Sequence, residues 1–377
     1  MIMNKIKNIL YNLIAFAIGT VILLLIVEIL LNFYNPFAYR LKGDKIILAS
    51  NISWKFDNKN IHGLDSVIIH SKNSIGFRGP NPPSNFEEWT SIVAVGGSTT
   101  ECFYLSDGND WPAILSQKLK KEFSNVWINN AGLDGHSSFG HQILLKDFIV
   151  KLKPNFVMFL VGCNDIERSD LNEFDDSVLK KTGSWKSFIR NNTEVVSLFL
   201  NIKRSFVAKS MGIIHNSIDI ESADFIDSID TNLIKQTIKK QEKYQKKYSE
   251  RLKNVINFCK QNGIIPVFIT QPTLVGSGFD DVTNINLEKI KYCDSFGGKI
   301  YWEKLKVYNN TTRRIAEKEE VFLIDLASLM PKSSQYFYDC VHFTNLGAIK
   351  VAEIIYSRFK ECLVYYTEQV ENKNKNL

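Results

Sequence analysis

The chain has 377 residues, and a hydrophobic fraction of 45% is ordinary for a globular protein with one large domain and appendages. Its formal net charge of +6 comes from Lys and Arg spread along the whole sequence. Without a basic block to follow a phosphate backbone, we predict no nucleic-acid binding. The six cysteines include no Cys-x-x-Cys pair, which argues against a zinc ribbon or a thioredoxin-type redox site.

The first predicted element is an apolar stretch, residues 9–33, with Glu28 as its single charge. It is long enough to cross a bilayer as a helix, which takes about 20 residues. A cleaved signal peptide would have a shorter apolar core and a small-x-small site after it. We therefore predict an uncleaved membrane anchor within residues 1–35. A carboxylate is costly in lipid unless it is near the interface, neutral or paired with another helix. We expect Glu28 to reach toward the headgroups, and a partner-binding role is the alternative.

The positive charges that flank this stretch do not by themselves set its orientation. Two lysines precede it, and three basic residues, Arg40, Lys42 and Lys45, follow it. A short basic tail is easily kept in the cytoplasm, and large domains are exported largely regardless of their own charge. We therefore predict that the large domain lies on the extracytoplasmic, periplasmic side. Six cysteines argue the other way, since an oxidising compartment would tend to pair them.

Residues 36–87 are rich in Asn, Ser and Pro and are predicted to form a linker and irregular lead-in. Five apolar runs then predict β-strands, at residues 91–95, 126–130, 156–161, 264–270 and 321–326. None alternates with polar residues, as is expected of strands covered on both faces. Helical spacing between and after them predicts helices at residues 111–123, 139–152 and 233–261, and from about Asn345 onward.

Strands that alternate with helices indicate a parallel sheet between helical layers. The fold class is therefore α/β, a three-layer α/β/α sandwich with a central five-stranded parallel sheet and one N-terminal transmembrane helix. We place this main domain at residues 88–366 and a polar tail at 367–377. Residues 166–230 lack a clear period and are predicted to be an insertion or lid.

Polar residues follow these strands where a parallel sheet forms its sites, at the carboxyl ends. The first strand ends at Gly96-Gly97-Ser98, which turns sharply and leaves Ser98 at the start of a helix. Exposed amides there stabilise developing negative charge, although a serine in this place is also a common helix cap. The second strand is followed by a glycine-rich turn in which Gly135 can present a bare amide, and the third by Asn164.

The last motif is Asp339-Cys340-Val341-His342, shortly before the C-terminal helix. On one turn, the Asp339 carboxylate can orient the imidazole of His342, which can then take a proton from a serine hydroxyl. The neighbours Cys163 and Cys340 are interpreted either as two small buried residues or as a disulfide that joins the two loops.

These motifs together resemble the SGNH (GDSL-like) hydrolase family, whose blocks contribute a Ser, a Gly, an Asn and a His in this order. Residues 76–79, Gly-Phe-Arg-Gly, resemble the lead-in of membrane-anchored bacterial members. The resemblance implies a catalytic triad of Ser98, His342 and Asp339. It also implies an oxyanion hole made by the amides of Ser98 and Gly135 and the side chain of Asn164. One departure is Gly97, where the name-giving motif of the family has Asp.

The resemblance implies a serine esterase that removes O-acetyl groups from a cell-envelope carbohydrate through an acyl-enzyme. An O-acyltransferase that uses the same triad to acylate a glycan is the first alternative, and a catalytically silent binding module is the second. The implied partners are an acylated carbohydrate or other small ester, and the membrane through residues 9–33. No cofactor and no metal are expected, since the six histidines lack ligand spacing. The sequence does not indicate an oligomeric state.

Overall fold

The computed structural model describes residues 2–35, 37, 41–42, 45–59, 61–168, 185–210, 219–291 and 296–375. The chain divides into two compact units. One comprises Met1–Ala49 with Ser177–Ile214, and the other Ser50–Asp176 with His215–Leu377. The strands are β1 (Leu41–Lys42), β2 (Lys45–Ile46), β3 (Ile52–Asp57), β4 (Val67–Lys72), β5 (Thr90–Gly96), β6 (Val126–Asn130), β7 (Phe156–Val161), β8 (Ile265–Thr270) and β9 (Phe322–Ile324).

The helices of the described ranges include three of about thirty residues. They are α1 (Ile2–Phe33), α2 (Ser98–Glu101), α3 (Trp111–Leu119), α4 (Ser138–Leu144), α5 (Val150–Leu152), α6 (Trp185–Asn192), α7 (Glu194–Ser210), α8 (Thr231–Gln261), α9 (Gly298–Lys318), α10 (Leu326–Leu329) and α11 (Asn345–Lys375). A π-helical segment, Leu145–Ile149, lies between α4 and α5. The helix predicted at residues 139–152 is therefore present but not uniformly α-helical.

The first unit is built around α1, which is long and apolar enough to cross a membrane. Its neighbour α7 packs against it, and α6 packs against α7. The Glu28 carboxylate accepts hydrogen bonds from the backbone N–H groups of Glu194 (2.8 Å) and Val195 (2.9 Å), the first residues of α7. Glu28 is thus paired with another helix, and the expectation that it reaches toward the headgroups stays a prediction. A helix N-terminus offers unpaired N–H donors, and this carboxylate occupies them.

The second unit contains a five-stranded sheet in the order β6-β5-β7-β8-β9. All its strand pairs are parallel, which confirms the predicted sheet. Alternate strand residues, such as Ile92 and Ala94, join one core cluster with side chains of α3 and α11. Their neighbours, such as Val93 and Val95, are equally buried. The helices α4 and α9 pack against α8. Burial on both faces explains why these strands are apolar without alternation.

The lead-in region predicted to be irregular contains an antiparallel hairpin of β3 and β4. Every second residue of β3 is the more buried one, which is the period of a strand with one face covered. Helix α9 was not predicted at all. Its middle reads Asn309-Asn310-Thr311-Thr312, residue types with poor helix propensity, and burial of one face overrides that preference. Helix α11 continues to Lys375, through most of the segment predicted as a polar tail.

One buried cation, Arg78, joins the segment after the hairpin to α2 and the loop that follows it. The Arg78 guanidinium donates from Nη1 to the carbonyl oxygens of Glu101 (2.8 Å) and Cys102 (2.7 Å), and from Nη2 to that of Leu105 (2.8 Å). Asp110, also buried, lies 3.6 Å from Nη2. The side chain of Arg78 thus caps the carboxyl end of α2 and the loop that follows it.

We expect Arg78→Met to lower the free energy of unfolding by about 3 kcal/mol, because it removes three hydrogen bonds to buried carbonyls and leaves Asp110 without its cation. Arg358, which is exposed on α11, provides the matched control. Arg358→Met should change stability by less than about 0.5 kcal/mol. Urea unfolding followed by circular dichroism measures both. Equal stability of the two variants would contradict this role of Arg78.

Candidate active site

Ser98 lies at the first turn after the inner strand β5, as residue one of α2. Its backbone N–H has no carbonyl one turn earlier to accept it, which leaves it pointing out of the helix start. Gly97 precedes it at the N-cap position, with φ −84° and ψ −148°. Ser98 itself is only 9% exposed. The turn therefore presents a hydroxyl and an amide at the carboxyl edge of the sheet.

The loop between α10 and α11 brings an imidazole to this hydroxyl. His342 Nε2 lies 2.7 Å from Ser98 Oγ, and His342 Nδ1 lies 2.6 Å from Asp339 Oδ2. The second carboxylate oxygen of Asp339 accepts the backbone N–H groups of Val341 (2.9 Å) and His342 (2.7 Å). With a proton on Nδ1, the imidazole donates to Asp339 and its Nε2 accepts the hydroxyl of Ser98. The structure thus brings all three residues of the predicted triad together.

The charges of this group are coupled. Burial opposes ionisation of the imidazole, but the Asp339 carboxylate outweighs it, so the pKa of His342 lies above its usual value of 6.5. Burial would likewise raise the pKa of Asp339, but His342 and the two backbone N–H groups hold that pKa below its usual value. Asp339 therefore stays ionised, and His342 is a stronger base than an isolated imidazole.

Two neighbours that the sequence did not indicate hold the His342 turn. The carbonyl oxygen of Cys340 accepts the hydroxyl of Thr273 (2.7 Å) and the backbone N–H of Leu274 (2.8 Å), both from the loop after β8. The ring of Tyr338 stacks on His342, with centroids 5.6 Å apart and planes 11° apart. These contacts fix the plane of the imidazole ring. Thr273, Leu274 and Tyr338 belong to no sequence motif, so the sequence could not indicate them.

Asn164 approaches the same turn from the end of β7. Its Nδ2 donates to the carbonyl oxygen of His136 at 3.0 Å, so one amide hydrogen is fixed and the other remains for a ligand. A Cβ placed on Gly97 would lie 2.2 Å from that Nδ2 and 3.1 Å from the His136 carbonyl oxygen. Gly97, Asn164 and the loop around Gly135 therefore meet at one point, and only a glycine at 97 leaves room for the amide.

The loop after β6 packs so closely against α2 that the two backbones are in contact. A Cβ on Gly132 would lie 2.3 Å from the Glu101 nitrogen, so this residue must be glycine. The backbone N–H of Leu133 donates to the Gly96 carbonyl (3.1 Å), and that of Asp134 to a Glu101 carboxylate oxygen (2.6 Å). Gly135 follows with φ +74°, in the left-handed region that favours glycine. The amide of Gly135 is thus carried by a loop tied to the Ser98 turn.

Asp165, the residue after Asn164, forms a buried ion pair with Arg251. Asp165 accepts the Ser138 hydroxyl (2.5 Å) and Arg251 Nη2 (3.0 Å), and the Arg251 Nε donates to Ser138 Oγ (2.6 Å). Asp165 is 1% exposed and Arg251 5%. This pair joins the loop after β7 to the start of α4 and to the long helix α8. Nothing in the sequence indicated this pair, since Arg251 follows Asp165 by 86 residues.

The cysteines differ from one of the two interpretations given above. Cys163 carries a free thiol, whereas Cys340 is disulfide-bonded. A disulfide between these two residues is therefore wrong. Cys163 Sγ lies 3.6 Å from Gln271 Oε1, and burial raises the pKa of its thiol to about 12, so it remains protonated. Cys293 lies outside the described residues.

Among the residues that the structure describes, no metal centre accompanies the triad, and a cavity lies outside it. No group of three or more His, Cys, Asp or Glu side chains there is arranged to hold a metal ion. A cavity of about 370 Å³ lies beside β4, β6 and α3, lined by residues that include Lys72, Arg78 and Asp110. None of Ser98, Asp339 and His342 lines it, so it does not belong to this site.

The chain matches a known protein family. The model of the GDSL-like lipase/acylhydrolase family covers residues 94–348. That span contains the β5 turn, the loops after β6 and β7, and the turn that bears Asp339 and His342. No curated protein matches the chain.

Several solved structures resemble it at low identity. An acetylxylan esterase from Geobacillus stearothermophilus is 12% identical, with a TM-score of 0.41, over 71% of this chain and 93% of that one. An α/β hydrolase from the metagenome of Lake Arreo is 14% identical, with a TM-score of 0.41, over 71% and 94%. A further acetyl xylan esterase is 15% identical, with a TM-score of 0.40, over 71% and 98%.

Proposed function

The chain belongs to the GDSL-like lipase/acylhydrolase family and is an ester-hydrolysing enzyme, and from that premise we propose that Ser98, His342 and Asp339 are its catalytic triad. The observation that carries the proposal is the unbroken line of two hydrogen bonds from Ser98 Oγ through the imidazole to Asp339. A hydroxyl, a base and an orienting carboxylate in this order are the arrangement that activates a serine.

In the proposed reaction, Ser98 Oγ attacks the ester carbonyl while His342 Nε2 takes its proton. The carbonyl oxygen becomes an oxyanion, which the backbone N–H groups of Ser98 and Gly135 and the Asn164 amide stabilise. Collapse breaks the ester bond, and His342 returns the proton to the departing alcohol. Water then attacks the acyl-enzyme by the same steps, which releases the acid and regenerates Ser98. Asp339 keeps the imidazole in the required tautomer throughout.

For the substrate, we propose O-acetyl groups on a cell-envelope carbohydrate. This rests on the resemblance of Gly76-Phe77-Arg78-Gly79 and the four blocks to membrane-anchored family members. The test is incubation with an acetylated oligosaccharide, with and without an unacetylated glycan acceptor, while free acetate and product mass are followed. Acetate release that the acceptor does not reduce supports hydrolysis. Transfer of acetyl to the acceptor would favour the acyltransferase, and neither product would favour the binding module.

The raised pKa of His342 sets the pH dependence. Only the neutral imidazole can take the proton from Ser98, so kcat/KM falls as the pH drops through the pKa of His342 in the free enzyme. Because Asp339 raises that pKa, we expect the midpoint of the acidic limb above 6.5. A pH profile of kcat/KM on a soluble acetyl ester measures it. A midpoint well below 6.5 would contradict the coupling to Asp339.

The matched control is Asp339→Asn, examined by titration of the His342 ring protons in NMR rather than by activity. Removal of the carboxylate leaves burial as the main influence, and burial lowers the pKa of an imidazole. We expect the pKa of His342 in this variant to fall below that in the parent protein.

For α1, we propose that it anchors the enzyme as a single span, with the second unit on the extracytoplasmic side. The length and composition of the helix support a span, and its short basic flank supports the orientation. We expect the full chain to remain with membranes after a carbonate wash. We also expect alkaline phosphatase fused after residue 377 to be active. Release by carbonate would argue against the anchor, and an inactive but intact fusion against the orientation.

A further inference from the structure

Helices α6 and α7 expose an unusual amount of apolar surface. Six large apolar side chains on them are between 37% and 70% exposed. They are Trp185, Phe188, Ile189, Phe199, Ile202 and Phe206. Soluble surfaces rarely carry so many neighbouring aromatic and branched residues without a partner. We call this set the α6–α7 apolar face.

The spacing of these residues gives each helix one continuous stripe. On α6, the members lie at positions i, i+3 and i+4, and on α7 at i, i+3 and i+7. Residues at these intervals share one side of an α-helix. Exposed positive charges accompany the stripes, with Arg190 at the end of α6 and Lys203 on α7. Within residues 185–210 the sequence has five Lys and Arg against one acidic residue, Glu194.

The location of α7 within its unit indicates what covers this face. It packs against α1, the helix proposed to span the membrane. Its first turn is fixed near the carboxyl end of that helix, where Glu28 accepts the N–H groups of Glu194 and Val195. Asn35 also donates to the Glu194 carboxylate, at 2.9 Å. Since a helix rises 1.5 Å per residue, Glu28 lies about 8 Å from the end of α1 at Phe33.

We propose that the α6–α7 apolar face inserts into the lipid bilayer beside α1, with the adjacent Arg and Lys residues at anionic headgroups. Helices that carry aromatic residues on one side and positive charges on the other lie in the membrane interface, with the apolar side buried about 5–10 Å deep. The contacts of α7 with α1 place it at the level where such burial begins. Residues 185–210 are then a membrane-binding element rather than part of a lid. The proposal rests on the anchor proposed for α1 but not on the esterase activity.

The test measures lipid contact residue by residue in the full chain, reconstituted into phosphatidylcholine vesicles with or without phosphatidylglycerol. Phe199 and Phe206 are each replaced by Cys and coupled to the fluorophore NBD, and the signal of the native thiols, measured on the parent chain, is subtracted. Ile18→Cys, within α1, reports on the anchor itself. Lys235→Cys, exposed on α8, reports on an aqueous site. Doxyl-labelled lipids quench from the bilayer, and iodide quenches from water.

We expect NBD at 199 and 206 to be quenched by doxyl lipids at least about threefold more than at 235, and to be protected from iodide, as buried interfacial residues are. Quenching should increase when phosphatidylglycerol is included, and Arg190→Gln with Lys203→Gln should remove that increase. If doxyl lipids quench NBD at position 18 but iodide has full access to NBD at positions 199 and 206, the proposal is overturned while the anchor stands. Protection from iodide without lipid quenching would overturn it in favour of a protein partner or a second copy.

Discussion

Ser98→Ala is expected to lower kcat/KM on a soluble acetyl ester by at least about 10³-fold, because it removes the atom that forms the acyl-enzyme. His342→Ala should lower it by a similar factor, since the serine then keeps its proton. The two residues act as one unit, so the double variant should be about as active as either single variant. Turnover of the ester, measured by release of a chromogenic alcohol, gives all three values.

The matched control is Ser53→Ala, which removes an exposed hydroxyl from β3 in the same unit. We expect it to retain the parent activity. Thermal unfolding of each variant separates loss of chemistry from loss of fold, and Ser98→Ala should unfold at nearly the parent temperature. A folded Ser98→Ala variant that turns over the ester at the parent rate would remove Ser98 from the role of nucleophile.

Gly97→Ala is expected to lower kcat by about 10²- to 10³-fold, the cost of losing one oxyanion donor. Its Cβ would lie 2.2 Å from Asn164 Nδ2, so the amide must move. The φ of Gly97 is ordinary, −84°, and the displaced atom is the end of a side chain. Stability should therefore change by less than about 1 kcal/mol. Steady-state kinetics and urea unfolding on the same samples measure the two effects.

A double-mutant cycle with Asn164→Ala identifies the cause. If Gly97→Ala acts only by displacing the Asn164 amide, the double variant should be no less active than Asn164→Ala alone. Multiplicative losses would mean that the methyl group at 97 disturbs Ser98 directly. An unchanged kcat in Gly97→Ala would mean that the Asn164 amide is not needed where the structure holds it.

The sequence predicted best the candidate site residues that come directly after a β-strand. Buried strands are continuous apolar runs, and Ser98, Gly135 and Asn164 each follow one of them, so the local pattern marked their positions. The roles proposed for Gly135 and Asn164 came from the resemblance to the family, because a glycine-rich turn or an Asn after a strand has no specific meaning by itself. Asp339 and His342 are three residues apart on one turn, so their contact could be predicted without knowledge of the fold. The strand order, by contrast, is a matter of packing between distant segments and was not predicted.

The contacts that hold the site could not be predicted for a similar reason. Arg251 forms an ion pair with Asp165, which lies 86 residues earlier in the chain. The Asn164 side chain restricts position 97 to glycine only because β5 and β7 are neighbours in the sheet. The β3–β4 hairpin was missed although β3 alternates apolar and polar residues, because the surrounding Asn-, Ser- and Pro-rich sequence was interpreted as a linker. Segment 185–210 was treated as an irregular insertion, although it contains two helices, because its contact with α1 is not visible in its own pattern.

The distance along the chain between Ser98 and its base has a consequence during biosynthesis. His342 is 244 residues after Ser98, and the strands β8 and β9 are made in between. At about 5–20 residues per second, a ribosome needs roughly 10 to 50 s to cover that distance. Throughout that interval the nascent chain carries a serine without a base. With the triad proposed above, an enzyme truncated before Asp339 is expected to be inert, and hydrolysis to begin only after His342 has been synthesised.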